Sequence, residues 1–240
     1  MIENLLIQET GNKMKNKNGI NLYAYAKTII PGGNTLFSKR SELYLPNKWP
    51  AYFTKARKIN VWDLKGVKYL DMLCAVGTSV LGYSNEEVNK SILHNIKKGN
   101  LTTLNCPEEV YLTKKIINHH PWASMAKFTR GGGEANALAI RIARANTNRK
   151  NVAFCGYHGW HDWYLSANIN SKKNLDQHLM SGLNYDGIPE SLKNTSFPFP
   201  YNDFEYLYKL INKKKIGIIK MEVMRNQKPE NNFLQKIRKI

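Results

Sequence analysis

Two short apolar runs constrain this chain most: "NVAFC" at 151–155 and "KIGIIKM" at 215–221. Each has the length of one strand and is too short for a buried helix. Helix-like patterns lie before, between and after them. Strands alternating with helices beyond residue 100 predict an α/β fold, a mostly parallel sheet covered by helices on both faces. With 240 residues and 42% apolar content, the chain can bury a sizeable core.

The helices announce their ends. "SNEEVNKSILHNIKKGN" carries a capping residue, early acids, late lysines and a terminal glycine. "PEEVYLTKKIINHH" repeats that grammar with Pro107 in the first turn. "NNFLQKIRKI" begins a helix at the end of the chain. Upstream, "KINVWDLKGVKYLDML" reads as a hairpin about Lys65–Gly66. "MAKFTR" reads as a short strand leading into Gly131, Gly132 and Gly133, with a helix from about Glu134 to Asn146. On that helix Ala135, Leu138, Ala139, Ile142 and Ala143 form an apolar stripe, which leaves Arg141 and Arg144 on a solvated face.

A strand, a glycine turn and a helix amino terminus together make an anion site. Unpaired N–H groups and the positive helix end point at the turn, and glycine admits close approach. The P-loop is excluded because no Gly-Lys-Ser/Thr follows. The dinucleotide fingerprint fails too, because Asn136 stands where its third glycine belongs. A tight connection with nothing bound is the competing reading of the glycines alone.

The net charge of +18 suggests nucleic acid or a membrane surface. The lysines are spread out and accompanied by abundant Asn and Ile, however, and no recognition module accompanies them. Lys213-Lys214-Lys215 reads as a solvated turn. Neither nucleic acid nor membrane is expected as partner. Cys74, Cys106 and Cys155 are scattered and odd in number, which suits a reducing cytoplasm better than disulfides or zinc. The opening "MIENLLIQETGNKMKNKNGI" lacks the unbroken apolar core of an export signal. His158 and His161 have HxxH spacing, but without a third ligand no metal is expected.

Taken in order, "IIPGG", "VWDLKGVKYLDM", "LGYSNEEV", "GGEANALAIRIAR", "GYHGWHDW", "PYNDFEYL" and the strand ending in Glu222 resemble the class III aminotransferases. These are fold-type I enzymes dependent on pyridoxal phosphate, and the glutamate-1-semialdehyde aminomutase group is the most similar among them. The resemblance implies a partial large domain at 76–240 and a hairpin-bearing part of the small domain at 1–75. It also implies a homodimer and a small amino or keto substrate.

By this resemblance Gly131, Gly132 and Gly133 cradle the cofactor phosphate through backbone N–H groups. The family usually has Ser-Gly-Ser/Thr there, so hydrogen bonds worth about 1.5–3 kcal/mol each are lost. Arg130 either adds charge compensation or faces outward. Tyr157 stacks on the pyridine ring and His158 shapes the pocket. Glu222 organises hydrogen bonds near the ring, and Asn226 approaches the phenolic oxygen, although its spacing is one residue short. Lys39 or Arg40 meets a substrate carboxylate, and Val76 takes the place of a pocket-lining tryptophan. The last two changes argue against glutamate-1-semialdehyde and toward another amino or keto compound, such as a sugar or amino polyol.

The family needs two further groups: a Schiff-base lysine and an aspartate that keeps the pyridine nitrogen protonated. Both lie beyond Glu222 in the family, whereas no Asp follows Asp203 here. Lys220 occupies an ordinary strand position and is not the missing base. The expectation is amino-transfer chemistry by descent, in a chain truncated before its catalytic lysine and inactive alone. The alternatives are a non-catalytic fragment that holds a phosphate ligand or a partner, and a basic nucleic-acid-binding protein.

Overall fold

The structure is a computed structural model that describes residues 18–99, 102–171, 173–176, 178, 184–224 and 226–240. Nearly all of the opening stretch read against an export signal therefore lies outside the described residues. The chain divides into two compact units, Met1–Asn105 and Cys106–Ile240.

In the first unit, helix α1 (Gly19–Ile29) is capped by Asn18, whose side chain accepts from the Ile20 N–H. Tyr23 and Lys27 on that helix both bond the Glu42 carboxylate, at 2.8 and 3.2 Å. An antiparallel sheet follows, with β1 (Phe53–Arg57), β2 (Asn60–Asp63) and β3 (Lys68–Leu70) in that order. The expected hairpin is β2–β3, in register Val61↔Tyr69. Asp63 Oδ1 accepts from the Lys65 and Val67 N–H groups and so closes the turn. Helix α2 (Glu86–Ile96) is capped by Asn85, which accepts from the Val88 N–H.

Between sheet and helix lies an unusual turn. Cys74, Ala75, Val76 and Gly77 have φ of 47°, 51°, 58° and 79°, one turn of left-handed helix. Non-glycine residues avoid this region for steric reasons. Asp71 holds it: its Oδ1 accepts from the Leu73 and Cys74 N–H groups at 2.8 and 3.1 Å, and its Oδ2 accepts from the Tyr83 hydroxyl. Burial opposes ionisation of Asp71, but these three donors hold its carboxyl below the usual range. Burial and the Asp71 carboxylate together push the Tyr83 hydroxyl up to about 12.

In the second unit, α3 (Pro107–His119) and α4 (Gly132–Thr147) precede β4 (Val152–Cys155). After two four-residue helices, α5 (Asp162–Leu165) and α6 (Ala167–Asn170), come β5 (Ser196–Pro198), α7 (Phe204–Lys214), β6 (Ile218–Met221) and α8 (Phe233–Lys239). The sheet has the order β5-β4-β6 with both pairings parallel, as the strand–helix alternation required. Alternate β4 residues face opposite layers. Val152 and Phe154 join Ile140 of α4 and Trp163, Tyr164 and Ala167 on one side. Ala153 and Cys155 join Phe199, Leu207 of α7 and Phe233 of α8 on the other.

Three local expectations fail. "MAKFTR" forms no strand: residues 125–130 join neither outer edge of the β5-β4-β6 sheet. The inward face of α4 is Ala137, Ile140 and Ala143; of the predicted stripe Ala143 belongs to it, whereas Ile142 is exposed. Alanines lie on every side of this helix, so periodicity does not single out one face. Arg144 is accordingly half-buried, its Nε donating to the Lys150 carbonyl at 2.9 Å. Finally, Lys213 and Lys214 end α7 rather than lie in a loop, and Lys215 takes the left-handed cap at φ 50°. Cations at a helix carboxyl end are favoured by its dipole.

Candidate functional site

The site forms where β4 and β6 end side by side. The Glu222 N–H donates to the Cys155 carbonyl at 3.1 Å, which extends the ladder by one rung. Gly156 then turns the chain with φ 101°. A Cβ at Gly156 would stand 2.7 Å from Glu222 Cγ, so the Glu222 side chain fills the space that glycine leaves. Glu222 Oε1 accepts from the Tyr157 N–H at 3.0 Å. The Gly156 N–H donates to His178 Nδ1 at 3.2 Å. Both peptide groups of the turn are thereby fixed by side chains from elsewhere.

Tyr157 is half-buried, with its ring edge-on to Tyr164 at 5.9 Å, and burial raises its hydroxyl pKa. His158 is 2% exposed. Its Nε2 lies 3.0 Å from the Cys155 carbonyl, which only accepts, so Nε2 carries the proton. Burial first, and then the charge of Lys220, lower its pKa to about 4, so the ring is neutral at neutral pH. The imidazole is thus a buried strut between Phe154 and Trp163.

The glycine turn joins this loop by backbone contact. A Cβ on Gly159 (φ 96°) would meet Gly133 Cα at 2.8 Å, and one on Gly133 would meet His161 Cδ2 at 2.8 Å. Asn136 Nδ2 donates to the His158 carbonyl at 3.2 Å. Gly133 is therefore explained by the close approach of Gly159 and His161. Gly131 and Gly132 are different: nothing stands within 4 Å of a Cβ at either. Gly131 is the N-cap and gives no side-chain cap, so the first-turn N–H groups of α4 border open space. Glu134 is the acid of this turn, and its Oε2 accepts from the Arg130 N–H at 2.9 Å.

The residues named from sequence are distributed as follows. Gly133, Tyr157, His158 and Glu222 belong to the segments joined by the contacts above, and Gly131 and Gly132 precede Gly133 at the start of α4. Asn226 is exposed, with no bond to this cluster among the described residues. Lys39, Arg40 and Val76 belong to the first unit. There Lys39 is exposed, and Arg40 lies 4.8 Å over the Phe37 ring with its guanidinium against Gly32. Val76 is 68% exposed on the left-handed turn. Sequence reasoning missed His178 and the second role of Asn136. Gly156 and Gly159, both at positive φ beside the "YHG" segment, were the signal that a packed turn stood there.

An uncapped helix terminus packed on a tyrosine-bearing turn at the carboxyl ends of parallel strands is a place where α/β folds commonly carry ligand sites. The chain belongs to the class-III aminotransferases, whose sequence profile (Aminotransferase class-III) matches residues 45–218. That family uses pyridoxal phosphate. The chain is 29% identical over 237 residues to 3-aminobutyryl-CoA aminotransferase of Cloacimonas acidaminovorans, covering 95% of this chain and 53% of that one. It is 34% identical over 198 residues to glutamate-1-semialdehyde 2,1-aminomutase of Sulfolobus acidocaldarius, covering 80% and 46%. Its fold matches an omega-transaminase from Sphaerobacter thermophilus with TM-score 0.78 at 22% identity, over 96% of this chain and 53% of that one. The chain thus has the α/β architecture of the fold-type I aminotransferases and spans about half the length of the curated relatives it matches.

Proposed function

We propose that this chain provides the phosphate cradle and ring platform of a pyridoxal-phosphate-dependent amino-transfer enzyme. The observation that carries this reading is the Gly133–Gly159 approach, which holds an uncapped helix terminus against the Tyr157 turn. The residues present suit the group. Open space at Gly131 and Gly132 accommodates phosphate oxygens, with first-turn N–H groups as donors. Tyr157 offers a ring face, and Glu222 keeps its main chain in place through the Tyr157 N–H. His158 stays neutral with its proton on Nε2, so it adds no charge beside the ring. When bound, the cofactor supplies an electron sink for the substrate carbon.

In the complete protein, Lys39 or Arg40 pairs with a substrate carboxylate, Val76 shapes the substrate pocket, and Asn226 approaches the phenolic oxygen. The substrate is a small amino or keto compound, and the assembly is a cytoplasmic homodimer. Residues 1–75 form part of the small domain, and 76–240 part of the cofactor domain. None of the residues assigned here takes the role of the Schiff-base lysine or of the aspartate at the pyridine nitrogen.

The test is a titration of the purified chain with pyridoxal phosphate, read by quenching of tyrosine and tryptophan emission. Binding should be competed by inorganic phosphate. It should weaken by more than about tenfold, or 1.4 kcal/mol, in Gly132→Asp. An aspartate there suits the helix terminus and preserves the fold, but it fills the anion space and repels phosphate. Binding that is indifferent to both phosphate and this substitution would overturn the reading.

A further inference from the structure

Lys220 is at odds with its surroundings. It pairs with Phe154 across the parallel β6–β4 ladder, and Ile218 pairs with Val152. Cross-strand partners share a face, so Lys220 continues the column that Ile218 begins under α4. That column belongs to the apolar layer of Phe154, Ile140 and Tyr164. Glu222 stands next but one on the same strand, and His158 approaches from the turn after β4, close enough for its titration to feel the Lys220 charge. Among the described residues the Lys220 ammonium has no hydrogen bond and no ion pair. A lysine held against an apolar layer without a hydrogen bond or ion pair loses hydration, which favours its neutral amine. Burial indeed lowers its pKa, against the opposing pull of Glu222.

We propose that Lys220 Nζ is a nucleophile that condenses reversibly with aldehydes entering beside Tyr157 and Glu222. The neutral amine adds to the carbonyl carbon, and a proton passes from nitrogen to oxygen. The carbinolamine then loses water as the C=N bond forms. No oxidant, reductant or co-reactant enters this balance. Preference for a phosphate-bearing aldehyde rests on the reading of Gly131 and Gly132 given above; reaction with an uncharged aldehyde does not.

The experiment treats the purified chain at pH 7 with pyridoxal phosphate and, separately, pyridoxal, each below one equivalent. Borohydride trapping and peptide mass mapping then identify the modified lysines. Lys220 should be trapped severalfold faster than the exposed Lys65 and Lys68, and the difference should vanish in urea. Glu222→Gln removes the charge that favours the ammonium, so trapping at Lys220 should become faster, while circular dichroism reports the fold. Trapping at Lys220 no faster than at Lys65 in the folded chain would overturn the proposal. Phosphate-competed fluorescence quenching without trapping at Lys220 would overturn it too, and leave the cofactor reading standing. Equal trapping by both aldehydes with no phosphate competition would support Lys220 and count against the phosphate cradle.

Discussion

A methyl group added at Gly132 and one added at Gly159 have opposite consequences. Gly132 lies inside α4 with nothing near its Cβ position, so Gly132→Ala should stabilise the chain by about 0.5–1 kcal/mol through helix propensity and chain entropy. Gly159 combines φ 96° with a Cβ position 2.8 Å from Gly133 Cα, which is backbone and has no rotamer by which to give way. Gly159→Ala should destabilise by about 2 kcal/mol or more, measured by urea unfolding. Equal effects at the two glycines would show that the Gly133–Gly159 approach is not tight. His158 supplies a pH dependence at the same scale. Its folded pKa of about 4 lies below the usual value, so between pH 6.5 and 4 the unfolded chain binds more protons. Stability from this group is present above pH 6.5 and declines as pH falls toward 4, by at most about 3 kcal/mol. Burial lowers the pKa of His178 as well, which acts in the same direction. Unfolding midpoints across this range should show the decline and show it reduced in His158→Gln.

At the scale of elements, the left-handed turn makes the sharpest prediction. Asp71→Ala removes the acceptor for two N–H groups and the Tyr83 hydroxyl, and should cost about 2 kcal/mol. Val76→Gly relieves a β-branched residue at φ 58° and should stabilise by about 1 kcal/mol. If unfolding midpoints do not move in these two directions, Asp71 does not hold a strained turn. The sequence announces elements whose punctuation is local: Asn85, Pro107 and the Lys65–Gly66 turn mark their own boundaries. It does not announce β5, three residues ending in Pro198, which exist as a strand only because β4 offers an edge. "MAKFTR" shows the converse: its local pattern suits a strand, but no ladder forms with the outer edge of β5 or β6. The candidate site divides the same way. Glycines and the "YHG" segment are legible as chemistry, whereas Glu222 on the Tyr157 N–H and His178 on the Gly156 N–H join residues 65 and 22 positions apart, and no local pattern reports such pairs.

For the whole molecule, two long-range effects oppose each other. The chain carries +18 net charge, which keeps copies apart at low ionic strength. It also exposes large apolar side chains, among them Met72, Val80, Leu104, Trp122 and Met125, each more than 80% accessible. The outer edges of β5 and β6 offer further backbone groups, with no ladder partner among the described residues. Exposed apolar surface of this kind favours association once repulsion is screened. The Debye length falls from about 10 Å at 0.1 M salt to about 3 Å at 1 M, while apolar contacts are not weakened by screening. Self-association of the purified chain should therefore strengthen as sodium chloride rises, seen as a growing sedimentation coefficient at fixed protein concentration. The opposite trend, oligomers that dissociate with salt, would mean that copies meet through charge pairs and that the exposed apolar residues are not what brings them together.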